Sequence, residues 1–590
     1  MKFLDGAPRF LFFTGKGGVG KTSIACASAV ALTKEGHKVL LVSTDPASNV
    51  GQVFGMSIGN TITEVPAVAG LSALEIDPEQ AATAYRERII GPVRGLLPDK
   101  ELASITEQLS GSCTTEIASF NEFTALLTDE TTIAGFDHVL FDTAPTGHTI
   151  RLLQLPGSWT EFLDDGKGDA SCLGPLSGLD KQRTIYAGAV AALADPQRTR
   201  LVLVARPQRS PLAEIARTHT ELADIGLVQQ HVVINGVLPE PEGGDELATA
   251  IYAREQTALA DLPADLRRLP IDQVELKSTN MVGIDALDTL FTTESNAATK
   301  PRSGHAAAAS DAPLSALVDE LATDDHGLIM CMGKGGVGKT TIAAAVAVAL
   351  AQRGHQVHLT TTDPAAHLTE TLAGSLENLT VSRIDPAQAT AAYRDRVLTS
   401  KGAALDDQGR ASLAEDLKSP CTEEVAVFQA FSRVIDESRR HFVVVDTAPT
   451  GHTLLLLDAT GSYHREVARQ MGDDTDITTP LMRLQNPDET KIVLVTLAET
   501  TPRLEAEGLH ADLERAGIHP WAWVVNNSIA AAHPTSPLLQ RRAETEVAEI
   551  DAVTSTHDRH AIVPLLPTEP VGVTALSSLA GNEPVSSPFR

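Results

Sequence analysis

Positive charge is scarce in this chain, and so are cysteine, aromatic residues and long apolar runs. Against 76 Asp and Glu stand only 47 Lys and Arg, a formal charge of -29, which opposes the broad positive footprint that DNA or RNA binding needs. No nucleic-acid partner is expected. The longest apolar runs, AAAVAVAL at 343–350 and TLLLLDAT at 453–460, fall well short of the roughly 20 residues that cross a bilayer. Any link to a membrane is therefore expected to run through a partner. The opening stretch MKFLDGAPRFLFF sets Lys, Asp, Pro and Arg where a signal peptide needs unbroken apolar sequence, and a cytoplasmic location is expected. The five cysteines, Cys26, Cys113, Cys172, Cys331 and Cys421, are odd in number and form no CxxC pair, which argues against a disulfide scaffold.

What is present is a repeat. A chain of 590 residues, 43% hydrophobic, exceeds what one core usually organises. GKGGVGKT occurs at 15–22 and again at 333–340, and TDP at 44–46 and 362–364. SCTTEIASF around Cys113 answers PCTEEVAVF around Cys421, DTAPTGHT at 142–149 answers 446–453, and VIN ending at Asn235 answers VVN ending at Asn526. Five blocks in one order imply duplication and fusion. Each half alternates short β-rich runs with helical stretches, so the expected fold is α/β: two fused P-loop domains, each a mostly parallel sheet with helices on both faces. The Ala- and Ser-rich stretch 293–315 reads as a linker, leaving domains over 1–292 and 316–590.

GKGGVGKT fits the phosphate-binding pattern GxxxxGK[ST], with a strand before it and a helix after it. Gly15, Gly17, Gly18, Val19 and Gly20, and in the second half Gly333, Gly335, Gly336, Val337 and Gly338, let backbone N–H groups curl around phosphates at a helix N-terminus. Lys21 and Lys339 reach the β- and γ-phosphates of ATP, and Thr22 and Thr340 offer a hydroxyl to Mg²⁺. Asp142 and Asp446 end apolar strands, where a Mg²⁺-linked carboxylate is expected. Asp45 and Asp363 end other strands and can orient the attacking water or help hold the metal. Asn235 and Asn526 offer an amide to an adenine edge, although Asn also ends strands simply as a turn residue.

A second lysine in each loop, Lys16 and Lys334, marks the deviant form of the motif. With the repeated TDPAS and TDPAA, DTAPTGHT, and SCTTE and PCTEE blocks, the chain resembles the bacterial arsenical pump-driving ATPases over nearly its whole length. The resemblance implies several roles. Lys16 and Lys334 reach across to the nucleotide of the other half, so the two halves face each other as an intramolecular pseudo-dimer. Cys113, Cys172 and Cys421 bind As(III) or Sb(III), with His148, Ser419 and His452 at or near the metalloid. Three thiolates suit a soft, thiophilic centre. A buried inert thiol is the plainer reading of each cysteine taken alone, and the histidines also read as switch-loop residues that only hydrogen-bond.

The implied activity is ATP hydrolysis stimulated by arsenite or antimonite, driving extrusion through a membrane arsenite carrier, with a metallochaperone that delivers As(III) as a further possible partner. The alternative is an ATP-dependent targeting factor for tail-anchored membrane proteins. That branch uses a single-copy homodimer with a CxxC zinc pair and a Met-rich insertion, whereas this chain is duplicated, lacks CxxC and has 7 Met.

Overall fold

The computed structural model describes residues 1–44, 50–91, 94, 102, 112–143, 179–241, 243–293, 312–363, 368–400, 402–406, 409–410, 413–414, 417, 420–447 and 479–581. The chain divides into two compact units, Met1–Lys300 and Pro301–Arg590. The division falls inside the Ala- and Ser-rich stretch. Helix Leu314–Leu321 opens within the last two residues of that stretch and buries Leu314, Leu317, Val318 and Leu321. The first described helix of the second unit thus starts before residue 316.

In the first unit the strands are β1 (Phe10–Thr14), β2 (Val39–Ser43), β3 (Thr63–Glu64), β4 (Leu71–Glu75), β5 (His138–Asp142), β6 (Thr199–Ala205), β7 (Gln230–Val237) and β8 (Ile271–Glu275). Their order across the sheet is β3-β4-β2-β5-β1-β6-β7-β8. Only the pairing of β3 with β4 is antiparallel. The second unit has β9 (Gly327–Met332), β10 (Val357–Thr361), β11 (Leu379–Val381), β12 (Phe442–Asp446), β13 (Thr490–Leu497), β14 (Pro520–Ser528) and β15 (His560–Pro564). Its order is β11-β10-β12-β9-β13-β14-β15. With the short β3 set aside, the two sheets share one topology, as the repeated motifs require.

The central strands are mostly apolar on both faces because helices cover both sides of a parallel sheet. Along β1, Phe10 and Phe12 enter one core while Leu11 and Phe13 enter another. The second unit repeats the split, with Ile329 and Cys331 of β9 in one core and Leu328, Met330 and Met332 in the other. Phe12 stacks on Phe141 at 4.5 Å and 3°, locking β1 beside β5 at the centre of the first sheet. In the second unit the helix Lys339–Gln352 has every residue from Ile342 to Ala351 buried, so its uniformly apolar sequence reflects core burial rather than a membrane. Among the described residues no helix is long and apolar enough to cross a membrane.

Candidate functional site

Strands β1 and β5 lie side by side in parallel, bringing the phosphate loop after β1 next to the carboxyl end of β5, and β9 and β12 do the same in the second unit. The loop's shape depends on glycine. A Cβ on Gly15 would stand 2.1 Å from the carbonyl oxygen of Val204 in β6, and one on Gly333 would stand 2.2 Å from that of Val495 in β13. Gly20 and Gly338 cap the loop helices with φ of 87° and 91°, left-handed values that an L side chain adopts only at a cost. The helices Lys21–Lys34 and Lys339–Gln352 then begin at the loop, aiming free N–H groups and the positive dipole end at it.

Thr22 and Asp142, predicted from sequence as metal-site partners, meet directly. Thr22 Oγ1 donates to Asp142 Oδ2 at 2.7 Å, and Thr340 Oγ1 donates to Asp446 Oδ2 at 2.8 Å. Both aspartates are 1% exposed. Burial pushes the Asp446 carboxyl up to about 6, against the pull of Lys339 and the Thr340 hydrogen bond, with Asp363 adding to the rise. The Oδ1 of Asp446 is buried and, among the described residues, accepts no hydrogen bond. A buried carboxylate oxygen without a donor, beside a threonine hydroxyl, is the donor chemistry a hard divalent cation takes, so these residues fit Mg²⁺.

Lys21 and Lys339 are each 6% exposed. Their ammonium groups lie over the loop, donating to the carbonyls of Lys16 at 3.3 Å and Lys334 at 2.8 Å. The loop is thereby curled around its own lysine. Asn235 and Asn526 come to the loop as well. Asn235 Nδ2 donates to the Val19 carbonyl at 2.8 Å and Asn526 Nδ2 to that of Val337 at 2.9 Å. Each amide fills the space that a Cβ on Gly20 or Gly338 would occupy, so these asparagines clamp the loop.

Sequence reasoning missed several partners. Lys16 Nζ donates to Ser210 Oγ at 2.8 Å and stands 3.8 Å from Glu214 Oε2, while Lys334 pairs with Glu505. Glu214 sits on the helix after β6, Arg209–Asp224, and Glu505 on the helix after β13, Thr500–Arg515. In the structure, then, each second lysine is bound inside its own unit. The 291-residue spacing that relates Asn235 to Asn526 also relates Glu214 to Glu505, and this was the available signal. Thr143 and Thr447, in the DTAPTGHT blocks, hook back by Oγ1 to the carbonyls of Phe13 at 2.7 Å and Cys331 at 2.8 Å. Thr361 Oγ1 donates to the Asp446 carbonyl at 3.0 Å and accepts from the Asp363 N–H at 3.0 Å, which sets Asp363 beside the same carboxylate.

Asp45, His148, Cys172, Ser419 and His452 lie outside the described residues. Cys113 and Cys421 are the second residues of the helices Ser112–Thr128 and Pro420–Glu437, their side chains again outside the description. Cys26 and Cys331 are fully buried free thiols, and burial first, then the neighbouring Asp142 or Asp446, drives their pKa well up. Such thiols are poor nucleophiles and poor ligands.

A family model describing anion-transporting ATPases matches residues 8–293 of the first half and 326–484 and 458–582 of the second. The chain belongs to the anion-transporting ATPase family. This ATPase is 62% identical over 581 residues to the arsenical pump-driving ATPase of Acidiphilium multivorum, covering 98% of this chain and all of the relative. It is likewise 62% identical over 584 residues to an arsenical pump-driving ATPase of Escherichia coli, again across the whole relative. The ATPase get3 of Schizosaccharomyces japonicus is 32% identical over 305 residues, which is 47% of this chain and 90% of that protein. The duplicated length thus agrees with the arsenical relatives, and a single-copy relative matches about one half.

Proposed function

We propose that this ATPase hydrolyses ATP in response to As(III) or Sb(III) and powers their extrusion through a membrane carrier, conferring arsenical resistance. The observation that carries the catalytic part is the Thr–Asp hydrogen bond beside the phosphate loop, present in both units at 2.7 and 2.8 Å. Relatives named as arsenical pump-driving ATPases, matched end to end at 62% identity, support the metalloid part.

Thr22 with Asp142, and Thr340 with Asp446, would hold Mg²⁺, each aspartate through the threonine hydroxyl or directly. Bound Mg²⁺ supplies charge neutralisation on the β- and γ-phosphate oxygens. The chain's own groups do the rest. Loop N–H groups and the helix N-termini hold the phosphates, Lys21 and Lys339 place a fixed positive charge against the γ-phosphate, and Asp45 and Asp363 orient the attacking water. Lys16 and Lys334 leave Glu214 and Glu505 to stabilise charge that develops in the transition state, with the two halves facing as a pseudo-dimer.

Cys113, Cys172 and Cys421 bind the metalloid with His148, Ser419 and His452 nearby, and a metallochaperone delivers it. Because His148 and His452 follow Thr143 and Thr447 within the DTAPTGHT blocks, ligand occupancy moves the loop that bonds to β1 and β9. The test is the ATPase rate of the purified chain with and without antimonite. A several-fold rise is expected; a rate indifferent to antimonite overturns the reading and favours the tail-anchored targeting alternative.

A further inference from the structure

At the edge of the second sheet where its parallel strands begin, away from the phosphate loop that follows β9, lies a group of side chains that the ATPase chemistry does not use. His358 is the second residue of β10, His441 immediately precedes β12, and Glu437 ends the helix Pro420–Glu437. One ligand atom from each lies within 4.8 Å of the other two. The shortest separation is 2.8 Å, from His358 Nδ1 to Glu437 Oε2, and His441 Nε2 stands 4.0 Å from the same oxygen. All three side chains are half-buried, so the group is held by the fold and remains open to solvent.

We propose that His358, Glu437 and His441 form a binding site for one divalent transition-metal ion of the zinc class. Two imidazoles and a carboxylate are the donor set such borderline ions take, and the set is too rich in nitrogen for Mg²⁺ or Ca²⁺. Ligand atoms about 2.1 Å from a tetrahedral centre are roughly 3.4 Å apart, a value that the observed separations bracket, so small side-chain rotations close the site. The outer shell is already built. His358 uses its other nitrogen, Nε2, against Ser382 Oγ at 2.8 Å, and Ser382 Oγ in turn donates to the buried Thr360 hydroxyl at 2.9 Å. A histidine ligand oriented by a hydrogen bond from its remote nitrogen is the usual arrangement around such ions. Solvent takes the fourth position.

Among the described residues such a group occurs in the second unit alone. By the spacing of the repeated TDP and DTAPTGHT blocks, Leu40 and Asp137 stand where His358 and His441 do, and Leu40 is fully buried. The two units therefore share nucleotide chemistry and differ at the opposite edge of the sheet. A bound ion ties the C-terminal end of the helix to two strands and places positive charge at the negative end of its dipole.

The test is a titration of the full-length, chelator-treated, nucleotide-free protein with Co²⁺ in excess Mg²⁺, read by visible absorption and followed by displacement with Zn²⁺. One Co²⁺ per chain is expected, with ligand-field bands of a four- or five-coordinate nitrogen–oxygen site, no sulfur-to-cobalt charge transfer, and release by Zn²⁺. His441→Ala and the isosteric Glu437→Gln should each weaken binding at least tenfold while keeping the parent's basal ATPase rate, which certifies their folding. A Cys113→Ser, Cys172→Ser, Cys421→Ser triple variant should bind as the parent does. Absence of binding, binding unchanged in both His441→Ala and Glu437→Gln, or a thiolate spectrum lost in the triple variant overturns the site.

Discussion

Glu214 holds Lys16 within its own unit, the two charged groups 3.8 Å apart with Ser210 as a second partner at 2.8 Å, and Glu505 does the same for Lys334. Each pair joins the phosphate loop to the helix after β6 or β13, so the lysine that the chemistry needs starts from a bound position. A partly exposed ion pair is worth about 1 kcal/mol. Glu505→Gln should therefore raise unstimulated turnover by about fivefold, whereas Lys334→Ala should lower turnover far more than nucleotide affinity. Steady-state ATPase rates with parallel nucleotide-binding titrations check both, and an unstimulated rate in Glu505→Gln equal to the parent's would show that the pair restrains nothing.

The two loops carry identical octapeptides and the same Thr–Asp contact. Lys21→Ala and Lys339→Ala should each abolish most metalloid-stimulated turnover, because each removes a point charge from the phosphates. Asp446→Asn keeps the shape and the acceptor for Thr340 but discards the charge, so turnover should fall at least about a hundredfold, the scale set by losing one electrostatic stabiliser, with ATP binding changed little. Near-normal stimulated turnover in either lysine variant would mean that one site is dispensable.

Stability should carry a pH signature from two equivalent buried glutamates. Glu255 accepts from the Leu238 N–H at 2.8 Å, and Glu546 from the Ala530 N–H at 2.9 Å and the Ser528 hydroxyl at 3.1 Å. Burial pushes both carboxyls up to about 7 despite those hydrogen bonds. A carboxyl whose folded pKa is raised favours the fold fully below its unfolded value and loses that contribution as pH climbs through about 7. Each ionised glutamate then costs up to about 3 kcal/mol. Glu546→Gln copies the protonated group, so it should raise Tm by several degrees at pH 8 and hardly at pH 4.5. Thermal unfolding of parent and variant across that range is the measurement, and a difference independent of pH would contradict it.

The metalloid reading separates the five cysteines into two classes. Cys→Ser at 113, 172 or 421 exchanges a soft thiolate for a hard hydroxyl, so each should raise the antimonite concentration for half-activation at least about tenfold, about 1.4 kcal/mol. Cys26→Ser and Cys331→Ser alter buried thiols whose pKa burial has already driven up, and should leave the activation curve in place. Activation curves of the five variants decide the matter, and parent-like activation of the triple variant at 113, 172 and 421 would remove the metalloid site.

The sequence by itself determined the elements whose cause is local or repeated. Glycines spaced for a phosphate loop, apolar runs such as HVLFD and FVVVD ending in aspartate, and five blocks recurring in order are enough to predict two parallel α/β units and to nominate Thr22, Asp142, Thr340 and Asp446 for Mg²⁺. Only the tertiary structure decided contacts between residues far apart in the chain. Lys16 meets Ser210 across 194 residues, Asn235 meets Val19 across 216, and His358 meets Glu437 across 79. Those distances are set by which strands become neighbours, and strand order depends on the packing of both faces of the sheet rather than on any local pattern. The asparagines show the consequence: a residue at a strand end reads as a turn or a base contact, and only the placement of β7 and β14 showed that its amide also holds the loop beside Gly20 and Gly338.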